Sequence, residues 1–134
     1  MKGLLIISLL VLLIIPTVAF AQSASDKLIR GIRAYNELDW ENAIRFLNDA
    51  LQLGLSEASQ IQAHKYLGFC YIETDQLDKA KSEFESLLDL NSDYELDPNI
   101  SSSYLDIFKI VKSEFKPSGE KFLQKGIDAY NDMK

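Results

Sequence analysis

His64 and Cys70 are the only imidazole and the only thiol in this chain of 134 residues. Paired, they could generate a thiolate nucleophile; with two further donors they could hold zinc. Their spacing of six residues within one apparent helix puts them on different faces, so the imidazole is not placed to activate the thiol. One His and one Cys also leave a tetrahedral zinc shell two ligands short, to be recruited from scattered carboxylates. Cys70 stands between Phe69 and Tyr71, where a small buried hydrophobe is expected and a reactive or intermolecular thiol is the alternative. A single cysteine excludes an intramolecular disulfide. His64 reads as a groove or boundary residue. Asp75, Asp78, Glu83, Glu85 and Asp89 lack the interleaved spacing of a calcium loop and read as a solvated outer face. No glycine-rich phosphate loop is present. Asn99-Ile100-Ser101 fits a glycosylation sequon but reads as a helix start. No catalytic, cofactor or metal residues are expected, and the chain reads as a non-enzyme.

The elements that would position a binding surface are helical throughout. Leu28, Ile29, Ile32 and Tyr35 fall at helical spacing on a first helix from Asp26 to near Leu38. Ala43, Ile44, Leu47, Ala50 and Leu51 give a second, Trp40 to Leu53, an apolar stripe. Gly54 is its expected stop and Ser56 the N-cap of a third, which carries Ile61, Tyr66, Leu67, Phe69 and Tyr71 to about Thr74. A fourth spans Leu77 to Leu90, with Ala80, Phe84, Leu87 and Leu88 inward. The turn-rich segment Asn91 to Asn99 reads as a tether to a fifth helix, Ser101 to Phe115. Pro117-Ser118-Gly119 breaks that helix before a sixth, Glu120 to Met133.

A pattern recurs 37 residues apart. Gly31-Ile-Arg-Ala-Tyr35, Leu38-Asp39-Trp40-Glu41-Asn42-Ala43, Leu47 and Ala50-Leu51-Gln52-Leu53 answer to Gly68-Phe-Cys-Tyr71-Ile72, Asp75-Gln76-Leu77-Asp78-Lys79-Ala80, Phe84 and Leu87-Leu88-Asp89-Leu90. Helix pairs at this period belong to solenoids. The two copies resemble tetratricopeptide repeats (TPRs): Gly31 and Gly68 take the small position of the first helix, and Ala43 and Ala80 the small position of the second. Leu47 and Phe84 take its large apolar site, and Ala50 and Leu87 its later packing site. Lys27 and His64 stand where the family often has tryptophan, Leu55 and Ser92 where it often has proline. The expected fold is thus an all-α, TPR-like antiparallel helix-hairpin solenoid of two repeats (about 24–55 and 58–92) plus two C-terminal helices (about 100–116 and 119–133). Gly126-Ile-Asp-Ala-Tyr130-Asn131 nearly repeats Gly31-Ile-Arg-Ala-Tyr35-Asn36, so the last helix reads as the opening of a third repeat. It would cap the repeats, or dock on another chain, or mark a truncated longer frame.

The N-terminus reads as an export signal. Lys2 precedes a nearly unbroken apolar run, Gly3 to Ile15, and Ala19-Phe20-Ala21 supplies a small-x-small cleavage site. A signal peptide over 1–21 and a mature domain over 22–134, periplasmic or secreted, are expected; an uncleaved membrane anchor is the alternative. The formal charge of −6 disfavours nucleic acid and anionic membranes as partners.

The resemblance implies where a partner would sit, because TPR ligands lie along the first helices of successive repeats. Those positions are Leu28, Ile32, Tyr35 and Asn36 in the first repeat and Lys65, Phe69, Ile72 and Glu73 in the second. Ile127, Tyr130 and Asn131 would continue the row. Of the basic and amide residues of the family's carboxylate clamp only Lys65 has a counterpart, so the row reads as apolar with polar tips. That suits an apolar segment or an amphipathic helix. The same residues could instead be core, or be covered by the fifth helix. The expected function is an exported adaptor or scaffold mediating protein–protein interactions in a bacterial envelope assembly; the alternative is a self-assembling subunit stacking through its terminal repeats.

Overall fold

Asp39 and Ser56 show how local chemistry starts the helices of this chain. The computed structural model describes residues 23–133, and the expected leader with its cleavage site lies outside the described residues. Residues 23–36 form α1, followed by α2 (Trp40–Leu53), α3 (Glu57–Glu73), α4 (Leu77–Leu90), α5 (Ser102–Glu114) and α6 (Ser118–Asp132). Among the described residues there is no strand. None of their helices is long and apolar enough to cross a membrane. The Asp39 side chain accepts from the Asn42 amide at the start of α2, and Ser56 does the same for Ser59 at the start of α3. Gly54 ends α2 at a φ of 91°, in the left-handed region that glycine enters without a Cβ penalty.

The turns that reverse α1 into α2 and α3 into α4 are the same turn. Leu38 and Asp75 adopt φ of 61° and 57°, the left-handed position that ends many helices. Around Leu38, the Asp39 amide donates to Ala34 O at 2.9 Å and the Leu38 amide to Tyr35 O at 3.0 Å. Around Asp75, the Gln76 amide donates to Tyr71 O at 2.8 Å and the Asp75 amide to Ile72 O at 3.1 Å. Each pair closes a Schellman motif, satisfying carbonyls that the helix end leaves free. Neither residue is glycine, so the turn is held against the steric cost of the left-handed region, about 1 kcal/mol or more apiece.

The hairpins also close in the same way. A Cβ on Gly31 would lie 2.6 Å from Leu47 Cγ, and one on Gly68 would run into the edge of the Phe84 ring. Each glycine therefore lets the large residue of the following helix reach the backbone of the preceding one. Ala43, Leu47, Ala50, Ala80, Phe84 and Leu87 are all buried, as their spacing requires. Leu47, Ala63, Leu67, Tyr71 and Ala80 form a cluster that joins the first hairpin to the second. Helix α5 then lies on the second hairpin, with Tyr104, Phe108 and Val111 buried against Phe69, Phe84, Leu87 and Leu88.

Three expectations change at the C-terminal side. The segment Asn91 to Asn99 is more than a tether: Leu96 is buried in the same cluster, and Lys112 Nζ donates to Tyr94 O at 2.8 Å and pairs with Glu95. Ser118 and Gly119 belong to α6, where the Pro117 carbonyl accepts from the Glu120 amide; proline suits a helix start. The cover over the second hairpin is α5 rather than α6. Leu123, Ile127, Tyr130 and Met133 of α6 are exposed, and a Cβ at Gly126 would meet nothing within 4 Å.

The close approaches predict opposite responses to one substitution. Gly31→Ala and Gly68→Ala are expected to destabilise by about 1–3 kcal/mol through overpacking, although alanine is the better helix former by about 1 kcal/mol. Gly126→Ala is expected to be neutral or stabilising by up to about 1 kcal/mol, since only propensity acts there. Urea denaturation of the three variants checks this; a Gly68→Ala protein as stable as the parent refutes the seat at Phe84.

Candidate partner-binding surface

The row of residues along α1 and α3 is brought together in part. Tyr35 bridges the two helices, its ring 4.9 Å from Tyr66 and 6.0 Å from Phe69, with Trp40 of α2 at 5.5 Å on its other flank. Leu28, Ile32 and Ile72 are half-buried against the cluster around Leu47 and Leu67. Asn36 and Glu73 are exposed. Lys65 is half-buried with its Nζ 4.6 Å from the centre of the Tyr66 ring, and loss of water around it pulls its pKa down.

Phe69 is not open to a partner. Only 4% of it is exposed, because Tyr104 of α5 stacks on it with ring centroids 4.3 Å apart and planes 11° from parallel. The Tyr104 hydroxyl donates to Glu73 Oε1 at 2.6 Å and accepts from the Tyr35 hydroxyl at 3.5 Å. One side chain from α5 thus engages three positions of the row. Burying an aromatic ring against another ring is worth about 1.5–3 kcal/mol, with a further 0.5–1.5 kcal/mol for the aromatic pairing, which is why the chain covers Phe69 itself. Tyr130 and Asn131, expected to extend the row, lie exposed on α6, and Tyr104 stands beside Phe69 and Glu73 instead.

Burial governs the acid–base behaviour of this patch. The Tyr104 hydroxyl is pushed well above the ordinary tyrosine range, first by burial and then by its hydrogen bonds to Glu73 and Tyr35. Tyr35 is raised by burial, an effect its bond to Tyr104 opposes. Cys70 is fully buried beside Ala34 and Ala43, and burial with the nearby charge of Glu73 pushes its thiol up to about 12. A thiol held protonated in that way is inert, in keeping with a small packing residue.

His64 and Glu83 form a contact that spacing did not reveal. His64 Nδ1 lies 2.7 Å from Glu83 Oε2, joining α3 to α4 across the second hairpin, so Glu83 does not belong to a solvated outer face. Asp89 also has a structural role, accepting from the Ser118 amide at the start of α6. The weight of Tyr104 was legible only as a stripe, since Tyr104, Phe108 and Val111 recur at helical spacing on one side of α5. Among the described residues no group of three or more His, Cys, Asp or Glu could hold a metal ion.

The tyrosine network predicts an alkaline limit to stability. Tyr104 and Tyr35 have folded pKa values above the unfolded value of about 10, so their contribution is complete below pH ~10. Above it the unfolded chain releases protons that the folded chain keeps, and stability falls as pH rises. Urea midpoints should begin to fall at about pH 9, where the Cys70 thiol ionises in the unfolded chain but not in the folded one, and fall further above about pH 10 as the tyrosines join. Tyr104→Phe should lower stability at neutral pH by about 1 kcal/mol through its lost hydrogen bonds and should flatten the alkaline fall.

No family model, no curated protein and no solved structure matches this chain.

Proposed function

We propose that the chain is an exported adaptor of the TPR kind, in which α1–α2 and α3–α4 are the repeats and a protein partner is held on the face of α1 and α3 that α5 leaves accessible. One observation carries the reading: the Schellman turn and the glycine seat recur in both hairpins at a spacing of 37 residues. Two hairpins built alike stack their first helices side by side, and such a surface takes an extended segment or a helix from another protein. Because Phe69 lies under Tyr104, the working part of the row is its other end. There Leu28 and Ile32 offer apolar contact, and Asn36 offers a donor at the rim. The export signal read from residues 1–21 puts that partner in a bacterial envelope or outside the cell.

A second reading, self-assembly, draws on a different feature. Leu123 and Met133 of α6 are 67% and 79% exposed, an apolar face that another copy could cover.

One cross-linking experiment separates the two. A photoreactive residue at Asn36, at Ile127 or, as a control, at exposed Lys81 is activated in the native host. The adaptor reading expects a heterologous product from Asn36 that Ile32→Glu abolishes in a chain that stays helical, and a mature product starting at Gln22. Self-cross-links from Ile127, with Asn36 no more productive than Lys81, would overturn it in favour of self-assembly.

A further inference from the structure

All three arginines of the chain, Arg30, Arg33 and Arg45, line one surface hollow of about 390 Å³ between α1 and α2. A chain of formal charge −6 thus gathers its only guanidinium groups at one place. The hollow shares no lining residue with the row along α1 and α3; its other walls are Ala34, Glu37, Asp39, Asn42 and Phe46.

The surroundings leave the guanidinium groups available. Arg45 lies 4.2 Å from the centre of the Phe46 ring, and its Nη2 donates to Asn42 Oδ1 at 2.8 Å, which fixes its direction. Asp39 is engaged at the start of α2, accepting from the Asn42 amide and from Asn42 Nδ2 at 2.7 Å. Glu37 stands exposed at the wall. Among the described residues, none of the three arginines is within ion-pair distance of a carboxylate. Unpaired guanidinium forks bind carboxylates through two parallel hydrogen bonds. Three guanidinium groups around a hollow of about 390 Å³ leave room for more than one carboxylate, which an acidic segment supplies and a single phosphate does not.

We propose that this hollow docks an acidic segment of a protein partner, with its carboxylates held by Arg30, Arg33 and Arg45. The proposal rests on the adaptor reading only in making the ligand a protein. It uses a separate surface, so each can fail while the other stands.

The test is fluorescence anisotropy of a fluorescein-labelled hexaglutamate peptide with the full-length chain at low salt. Binding is expected, weakened by about tenfold or more in Arg30→Gln/Arg33→Gln, whose helical content should be unchanged because both side chains are exposed. Arg30→Lys/Arg33→Lys keeps the charge but loses the fork, and should also bind more weakly. Sodium phosphate at equal molar excess over unlabelled peptide should displace less of the probe. No binding of hexaglutamate, undiminished binding by the glutamine variant, wild-type binding by the lysine variant, or equal displacement by phosphate would each overturn the proposal.

Discussion

Phe84 occupies the space that a side chain at position 68 would take, and much of the structure follows from that contact. With no Cβ at Gly68, α4 approaches α3 closely enough for the Phe84 ring to sink fully between them. From there the ring meets Phe69 at 6.1 Å and Phe108 at 5.3 Å, both nearly edge-on, the arrangement that aromatic quadrupoles favour. Phe108 brings α5 down onto the hairpin, and α5 brings Tyr104 over Phe69. One missing methyl group therefore sets the depth of an aromatic stack running through three helices.

The first hairpin uses the same device with a smaller residue. Leu47 fills the seat at Gly31, and no aromatic stack grows from it. The asymmetry decides which part of the row stays accessible. The second hairpin attracts a cover from its own chain because Phe69 and Phe84 present large apolar area, whereas Leu28 and Ile32 of α1 stay half-buried. The polar tips of the row divide the same way: Glu73 is committed to Tyr104, while Asn36 is left at the surface. The accessible end of the row is thus the end carried by α1, the helix that also contributes Arg30 and Arg33 to the hollow on its α2 side.

Polar contacts between the helices refine this arrangement without creating it. Lys27 and Asp49 pair at 3.0 Å across α1 and α2, and His64 meets Glu83 across α3 and α4. Partly exposed pairs of this kind are worth little in water compared with the aromatic burial beside them. They act as registers, tying the two helices of each hairpin at one height.

Much of this fold could be read directly from the residue pattern. Periodicity and capping chemistry located the helices: Gly54 and Ser56 act where a side chain, or the lack of one, dictates. The recurrence of Gly, Ala and a large apolar residue at fixed offsets gave the hairpin contacts, because a close helix crossing needs small residues opposite large ones. What lies in the row along α1 and α3 was decided only by tertiary structure. Phe69 and Ile32 occupy equivalent places in the two copies, yet one is sealed and the other is not, since that depends on where a later helix, α5, comes to rest. The buried Leu96, the His64–Glu83 contact and the gathering of the arginines are of the same kind. Local pattern reports what a residue offers to its own helix; which surfaces meet is set by the summed burial of all of them, and no single segment carries that information.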